Sequence, residues 1–389
     1  MPEAMRLRFL ATAAILAALW SNRKTRRKER GTPVGLLLTG QIGKGGKIRY
    51  GLSATSCLCK RQAACLTKNM NFVRWLAIVI ASLSAVFPDS LTDQLAAKPV
   101  LTATVGPGFT GPMVIRAQIL LDRARFSPGE IDGVYGQDLG IAVKGYQEKY
   151  KLEPTGIIDP GMWKQLNADQ RPLLESYTIT IADERGPFEK IPKDVREQAK
   201  LKSMAYETPL EKFGERFHTS PELLARLNPG KDFAKSGEVI KVPNVWRRPP
   251  ATLAARVVVS KSKRTVTALG AHDAVLAQYP ATMGGPHDPL PIGEWKIISV
   301  TPNPWFLWDA ERFWNVDPAK GLAKLPPGPN NPAGSVWMGL SKEHYGIHGS
   351  PEPGAVRHGE SYGCIRLTNW DAEDLSHMVR RGITASLVE

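Results

Sequence analysis

A proline-stiffened stretch, WRRPPAT (246–252), divides this chain into two textures. Ahead of it, apolar residues recur at the three- and four-residue spacing of helices: Ile115, Ile119 and Leu120, then Ala142, Val143 and Tyr146, then Met162, Trp163 and Leu166. From Ala254 onward the period becomes two. ARVVVSKSKRTVTAL reads as two β-rich runs across a polar SKSK turn, and AVLAQYPATMG reads as a third. The remaining stretch is rich in Gly, Pro and Trp, with one convincing helix near its end. The expectation is multidomain: small helical modules first, then a mainly-β domain over 253–389. A chain of 389 residues has room for two or three such cores.

The formal charge of +14 suggests a nucleic-acid partner until it is located. Residues 1–69 hold 14 Lys/Arg against 2 Asp/Glu, whereas the other 320 residues hold 37 against 35. The surplus belongs to the leading segment, and a nucleic-acid role for the body loses its support. Within that segment FLATAAILAALW (9–20) is too short to span a bilayer and is followed by KTRRKER, which opposes its export. The run WLAIVIASLSAVF (75–87) has Lys68 and Arg74 before it and Asp89 and Asp93 after it, the charge asymmetry of a secretory signal. We expect 1–69 to be a basic extension without a fold of its own, with translation starting at Met70. We expect 70–97 to be a signal peptide or membrane anchor, and the body to be exported to the periplasm or cell envelope.

Between 112 and 169 the helical runs are joined by Gly/Pro/Asp turns, EIDGVYG and PTGIIDP, which predicts three short helices. The strings IDGVYG, AVKGYQ and TGIIDPGMW resemble the peptidoglycan-binding-domain-1 family. That resemblance implies a three-helix bundle that docks an enzyme onto murein, with Tyr146 and Trp163 in its core. Residues 177–246 begin with the strand-like YTITIADERGPF, carry helical stripes at Leu210, Phe213, Phe217 and at Leu223, Leu224, Leu227, and close on the strand EVIKVP. This strand–helix–helix–strand order resembles a LysM module, from which the insertion between Gly186 and Met204 departs. A sugar-binding role and a spacer role are both open.

The chemistry concentrates in YGIHGSPEPGAVRHGESYGCIRLTNW (345–370). From Met70 onward Cys364 is the sole cysteine, so an intramolecular disulfide is excluded there. Strand alternation puts Ile347 on one face and His348 on the other, and Ile365 and Leu367 on one face with Cys364 and Arg366 on the other. The Gly/Pro-rich loop Ser350–Glu360 can bring the two strands side by side. A thiol beside an imidazole can pass it a proton, giving a thiolate with a pKa well below the free value of about 8.5. Gly363 lets the chain turn so that N–H groups from Tyr362 to Cys364 face a developing oxyanion. A carbonyl near Gly349 or Ser350 is the expected acceptor for the other ring nitrogen. Two alternatives stand beside this one: a buried core cysteine, and a zinc site made of His344, His348, His358 and Cys364.

The string IHGSPEP…SYGCIRLTNWDA is similar to the L,D-transpeptidase catalytic family, as are HDPLPIGEWKI (287–297) and NNPAGSVWMGL (330–340). The resemblance implies a sandwich-like sheet with one C-terminal helix. It implies Cys364 as nucleophile, His348 as general base, Gly349 and Ser350 as the carbonyls that orient the base, and Ser361 as a supporting serine. Tyr362 and Gly363 fall at the oxyanion turn, and Arg366 either holds a substrate carboxylate or braces its strand. Tyr362 stands where the family usually has histidine, so altered substrate contact or pH response is expected. The implied reaction removes the terminal D-Ala of a peptidoglycan tetrapeptide through a thioester and passes the acyl group to an amine, without metal or organic cofactor. Water as acceptor makes the same site an L,D-carboxypeptidase, and a lipoprotein lysine makes it an attachment enzyme. A non-catalytic murein-binding protein is the rival from another class. Peptidoglycan is the expected partner, and the membrane is met through the N-terminal segment alone.

Overall fold

The computed structural model describes residues 40–42, 48–50, 90–97 and 102–389, and the chain divides into two units, 1–81 and 82–389. In the first unit a short strand β1 (Gly40–Ile42) pairs antiparallel with β2 (Ile48–Tyr50). The rest of the expected basic extension, and the expected signal or anchor as far as residue 89, lie outside the described residues. Among the described residues no helix is long and apolar enough to cross a membrane.

The second unit opens with α1 (Leu91–Ala96), capped by the Ser90 hydroxyl, which accepts from the Asp93 N–H at 3.2 Å. Leu95 is buried, and Arg116 donates to the carbonyls of Leu95 and Ala97, so the end of the 70–97 stretch is packed onto the next module. That module consists of α2 (Pro112–Arg123), α3 (Gln137–Lys149) and α4 (Pro160–Leu166). Proline opens α2 and α4, where its missing N–H has no helical partner to lose. Ile115, Ile119 and Trp163 are fully buried and Tyr146 nearly so, which makes both aromatics core. The Trp163 indole N–H finds the Ala103 carbonyl at 2.9 Å, meeting the need of a buried donor.

The middle segment pairs β3 (Leu174–Thr178) antiparallel with β4 (Val239–Pro243). Between them lie α5 (Ile181–Arg185), α6 (Val195–Gln198), α7 (Pro209–Arg216) and α8 (Pro221–Leu227). Thr208 and Glu211 form a reciprocal capping box at the start of α7. Phe213, Leu224, Ile240 and Val242 make a small separate core. The insertion between Gly186 and Met204 reaches the C-terminal domain. There Met204 N–H donates to Pro327 O at 2.9 Å and Met204 O accepts from Asn330 N–H at 3.0 Å.

The C-terminal domain carries β5 (Arg256–Ser260), β6 (Thr265–Leu269), β7 (Val275–Pro280), β8 (Gly293–Pro302), β9 (Phe306–Asp309) and β10 (Leu322–Leu325). It continues with β11 (Val336–Leu340), β12 (Gly346–His348), β13 (Ile365–Arg366), helix α9 (Asn369–Ser376) and β14 (Thr384–Val388). Eight strands form one sheet in the order β13-β12-β11-β8-β14-β5-β6-β7, and β9 with β10 forms a separate hairpin. The expected sandwich is instead a single curled sheet. Past the end of β7, Thr282 bridges Arg366 and Gly284 bridges Ser361, so the two edges approach each other and leave little open edge. Its interior is filled by residues such as Val257, Val259, Tyr279, Met338, Ile347 and Leu375. Each buried aliphatic of this kind contributes about 1.5–3 kcal/mol relative to exposure. Helix α9 is capped by Thr368 and ends at Ser376.

The proline-stiffened stretch does not hang free. Arg247 within it is 10% exposed and lies between Asp374 of α9 (3.3 Å) and Asp122 of α2 (3.6 Å). His218 Nδ1 sits 3.0 Å from the same Asp122, and its ring stacks on Trp370. Burial alone would raise the Asp122 carboxyl, but His218 and Arg247 together hold it below the usual carboxylate range. Ser127 adds a hydrogen bond to Asp371 at 2.7 Å, and Ser127 N–H donates to Gln278 O of β7. These contacts join helical, middle and β modules into one packed body.

Candidate active site

The position of the reactive groups follows from strand register. Trp337 on β11 pairs with His348 on β12, and His348 pairs in parallel with Arg366 on β13. Directly paired residues project from the same face of a sheet, so these three side chains share one. Cys364, in the bend just before β13, lines the same cleft as these three. On the opposite face Met338, Ile347 and Ile365 are buried in the core. His348 and Cys364 open onto a common cleft of about 1040 Å³, walled by aromatic residues that include Trp308, Phe313, Tyr345 and Tyr362.

His348 is almost fully buried, its ring stacked on Trp337 at 5.2 Å between centroids. Its Nδ1 is 2.7 Å from the Gly349 carbonyl. A carbonyl can only accept, so Nδ1 carries the hydrogen and Nε2 is left bare. Burial lowers the imidazole to about 3, helped by the Arg366 charge and opposed by the bond to Gly349. The Cys364 thiol is pushed up by burial, and a backbone hydrogen bond at Gly346 and Arg366 pull it partly back. Its sulfur faces the His344 carbonyl at 3.6 Å.

Burial thus disfavours both members of the expected thiolate–imidazolium pair, and among the described residues no hydrogen bond joins the sulfur to the ring.

Gly363 has φ +92°, and a β-carbon there would come within 2.7 Å of the Tyr345 ring, so that position takes no larger residue without displacing the ring. Among the described residues no backbone or side-chain acceptor takes the N–H groups of Tyr362, Gly363 or Cys364. Ser361 donates its hydroxyl to the Cys364 carbonyl, fixing the turn from within, while Ser361 N–H donates to Met283 O. The Ser350 hydroxyl accepts from Glu352 N–H at 3.3 Å. The Tyr362 hydroxyl donates to Asn315 at 2.8 Å, and its ring meets Phe313 edge-on, so this side chain ties the cysteine turn to the segment after β9. Arg366 has a buried Nε without a partner.

Of the residues considered for zinc, His358 lies 3.8 Å from Asp138 of the helical module and His344 lies 3.3 Å from Glu343. Among the described residues no group of three His, Cys, Asp or Glu side chains could hold a metal ion. Sequence reasoning passed over Trp337 and Tyr345. The alternation of Val336, Trp337 and Met338 was a usable signal for the first, since its two neighbours face the core.

With this geometry in place, likeness to known proteins can be weighed. Residues 254–388 match the L,D-transpeptidase catalytic domain family, and residues 110–166 match a peptidoglycan binding domain family. A Bacillus licheniformis protein named as the L,D-transpeptidase YkuD is 31% identical over 180 residues, covering 46% of this chain and 92% of that protein. This chain belongs to the L,D-transpeptidase family. The Bacillus subtilis L,D-transpeptidase YkuD is 28% identical over 172 residues, 44% of this chain and 88% of that protein. A solved L,D-transpeptidase from Xylanimonas cellulosilytica is similar at 15% identity and a TM-score of 0.33, covering 75% of this chain and all of that one. The transpeptidase domain thus ends the chain, with a peptidoglycan-binding module ahead of it.

Proposed function

We propose that this L,D-transpeptidase forms 3→3 cross-links in peptidoglycan through a thioester on Cys364. The observation that carries the reading is the bare Nε2 of His348, oriented by the Gly349 carbonyl in the cleft that the Cys364 thiol also lines. The sulfur attacks the carbonyl between the third stem residue and terminal D-Ala while His348 Nε2 accepts the thiol proton. As the carbon–sulfur bond forms, sulfur gives up electron density and its proton becomes more acidic, so transfer to Nε2 proceeds with bond formation. The N–H groups of Tyr362, Gly363 and Cys364 face the oxyanion, and D-Ala leaves with the proton from the ring. A side-chain amine of a neighbouring stem then attacks the thioester, gives a proton to His348, and frees the thiol, which regains it. In this reading Ser350 and Ser361 hold the turns that carry base and nucleophile.

The helical module supports docking on murein. The order β3, α7, α8, β4, with α5 and α6 inserted after β3, supports a second, LysM-like wall contact. The apolar run 75–87 supports delivery to the envelope, with cleavage or anchoring ahead of α1, and N-terminal sequencing of envelope-bound protein locates the processed end. Incubation with a disaccharide-tetrapeptide releases D-Ala and yields a cross-linked dimer. D-Ala without dimer indicates trimming by water, and no D-Ala contradicts the proposal.

A further inference from the structure

A second cleft, of about 490 Å³, lies between the middle segment and the catalytic domain. It shares Pro332 and Arg366 with the cleft of the nucleophile, so the two meet beside the reaction centre. One wall is the Gly186–Met204 insertion and the start of α7, contributing Gln198, Met204, Glu207 and Glu211; the other includes Ser350 and Glu352. The first wall is fastened to the second by the paired backbone bonds of Met204 with Pro327 and Asn330. Nothing in the family match covers the insertion, because the matched residues begin at 254.

The charges of this cleft differ from those of its neighbour. It carries three carboxylates against one guanidinium, whereas the nucleophile's cleft balances Asp309 and Glu311 with Arg312 and Arg366 and has aromatic walls. Glu211 is already committed, its two oxygens taking the N–H groups of Glu207 and Thr208 and the side chain of Asn330. Glu207 spends one oxygen on the Ile191 N–H. Glu352 makes no side-chain hydrogen bond or ion pair among the described residues, and at the inner end Arg366 keeps its buried, unpartnered Nε.

We propose that this cleft is the acceptor's approach. It takes an amino-acid head with ammonium and carboxylate on one carbon: Glu207 and Glu352 draw in the ammonium, and Arg366 receives the carboxylate. The inference rests on the transpeptidase reading, which needs two peptides at one sulfur. With the acyl chain lodged among the aromatics, the second peptide needs a separate way in. Arg366 lies two residues from Cys364 and lines the same cleft, so a carboxylate on the guanidinium brings the amine, once it leaves the two carboxylates, within reach of the thioester. The ammonium gives one proton to water as it leaves the two carboxylates; the free amine then attacks, and the second proton goes to His348 and on to the departing thiolate.

The test is the partition of the thioester between amine and water, read as the ratio of cross-linked dimer to hydrolysed tripeptide. The probe acceptor is a stem tripeptide with a free side-chain amine, at a concentration well below saturation. Because both products arise from one intermediate, the ratio is independent of how fast that intermediate forms. The double variant Glu207→Gln/Glu352→Gln lowers it about fivefold, as expected for losing one to two partly exposed charge contacts. Raising the salt shifts the wild-type ratio toward that of the variant. An unchanged ratio in the double variant, or a wild-type ratio indifferent to salt, overturns the acceptor assignment. Wild-type protein that releases D-Ala while the ratio fails to move overturns this inference alone; wild-type protein that releases none overturns the transfer reading and this inference with it.

Discussion

His348→Ala lowers the rate of Cys364 acylation by about 10²–10⁴-fold, the range associated with removing a positioned general base. Burial already pushes the thiol up, so removing the ring takes away the base held on the sheet face that carries Arg366 and Trp337. The pH dependence carries a second signature. An ordinary imidazole protonates near pH 6.5 and its use as a base fades below that. Here burial lowers His348 to about 3, so the ring stays neutral, and the acylation rate stays flat, from about pH 5 to pH 8. Time-resolved mass spectrometry with a carbapenem reads both effects. Full rate in His348→Ala removes the assigned base, and an acid limb near pH 6.5 contradicts the buried, neutral ring.

Arg247→Leu destabilises the second unit by about 3–5 kcal/mol, the cost of leaving buried charge without its counter-ion. Asp122 is fully buried, and Asp374 is 9% exposed. Asp122 keeps His218, and Asp374 keeps Arg125 at 3.2 Å and the Tyr279 hydroxyl at 2.7 Å, which places the loss toward the lower end. The pH sign follows from Asp122, whose folded carboxyl is held below its ordinary value. Its contribution is present above the unfolded carboxylate pKa and disappears as pH falls through the lower folded one, so the gap between wild type and variant narrows in acid. Denaturant unfolding at neutral and acidic pH measures this. A loss under about 1 kcal/mol at neutral pH would mean that the modules are held by apolar contact alone.

The two kinds of residue just discussed were unequally legible from sequence. His348 and Cys364 stood out because strand alternation is local: Ile347 and Ile365 reveal which way their neighbours point. The same logic reaches Trp337 once its strand is paired with β12. The lowering of the imidazole by burial did not follow, because it depends on Trp337 stacked on the ring and on the Arg366 charge, which sequence spacing does not bring together. The Asp122–Arg247–Asp374 cluster was harder still. Singly, each reads as a solvated charge, and WRRPPAT reads as a linker; only the docking of α2 against α9 makes them a buried set. Trp305, Phe306, Trp308 and Phe313 line the cleft from or beside a hairpin outside the main sheet, and Trp305 and Trp314 remain mostly exposed. In the middle segment the helical stripes predicted α7 and α8, but the insertion carried no pattern that could announce its contact with Asn330.

Peptide mapping of protein quenched in mid-turnover with a tetrapeptide stem examines the chemistry most directly. The account predicts one acyl group, the stem without its D-Ala, on the fragment bearing residue 364, and none in Cys364→Ala. D-Ala release with that sulfur unmodified, or release that survives the alanine substitution, would contradict it.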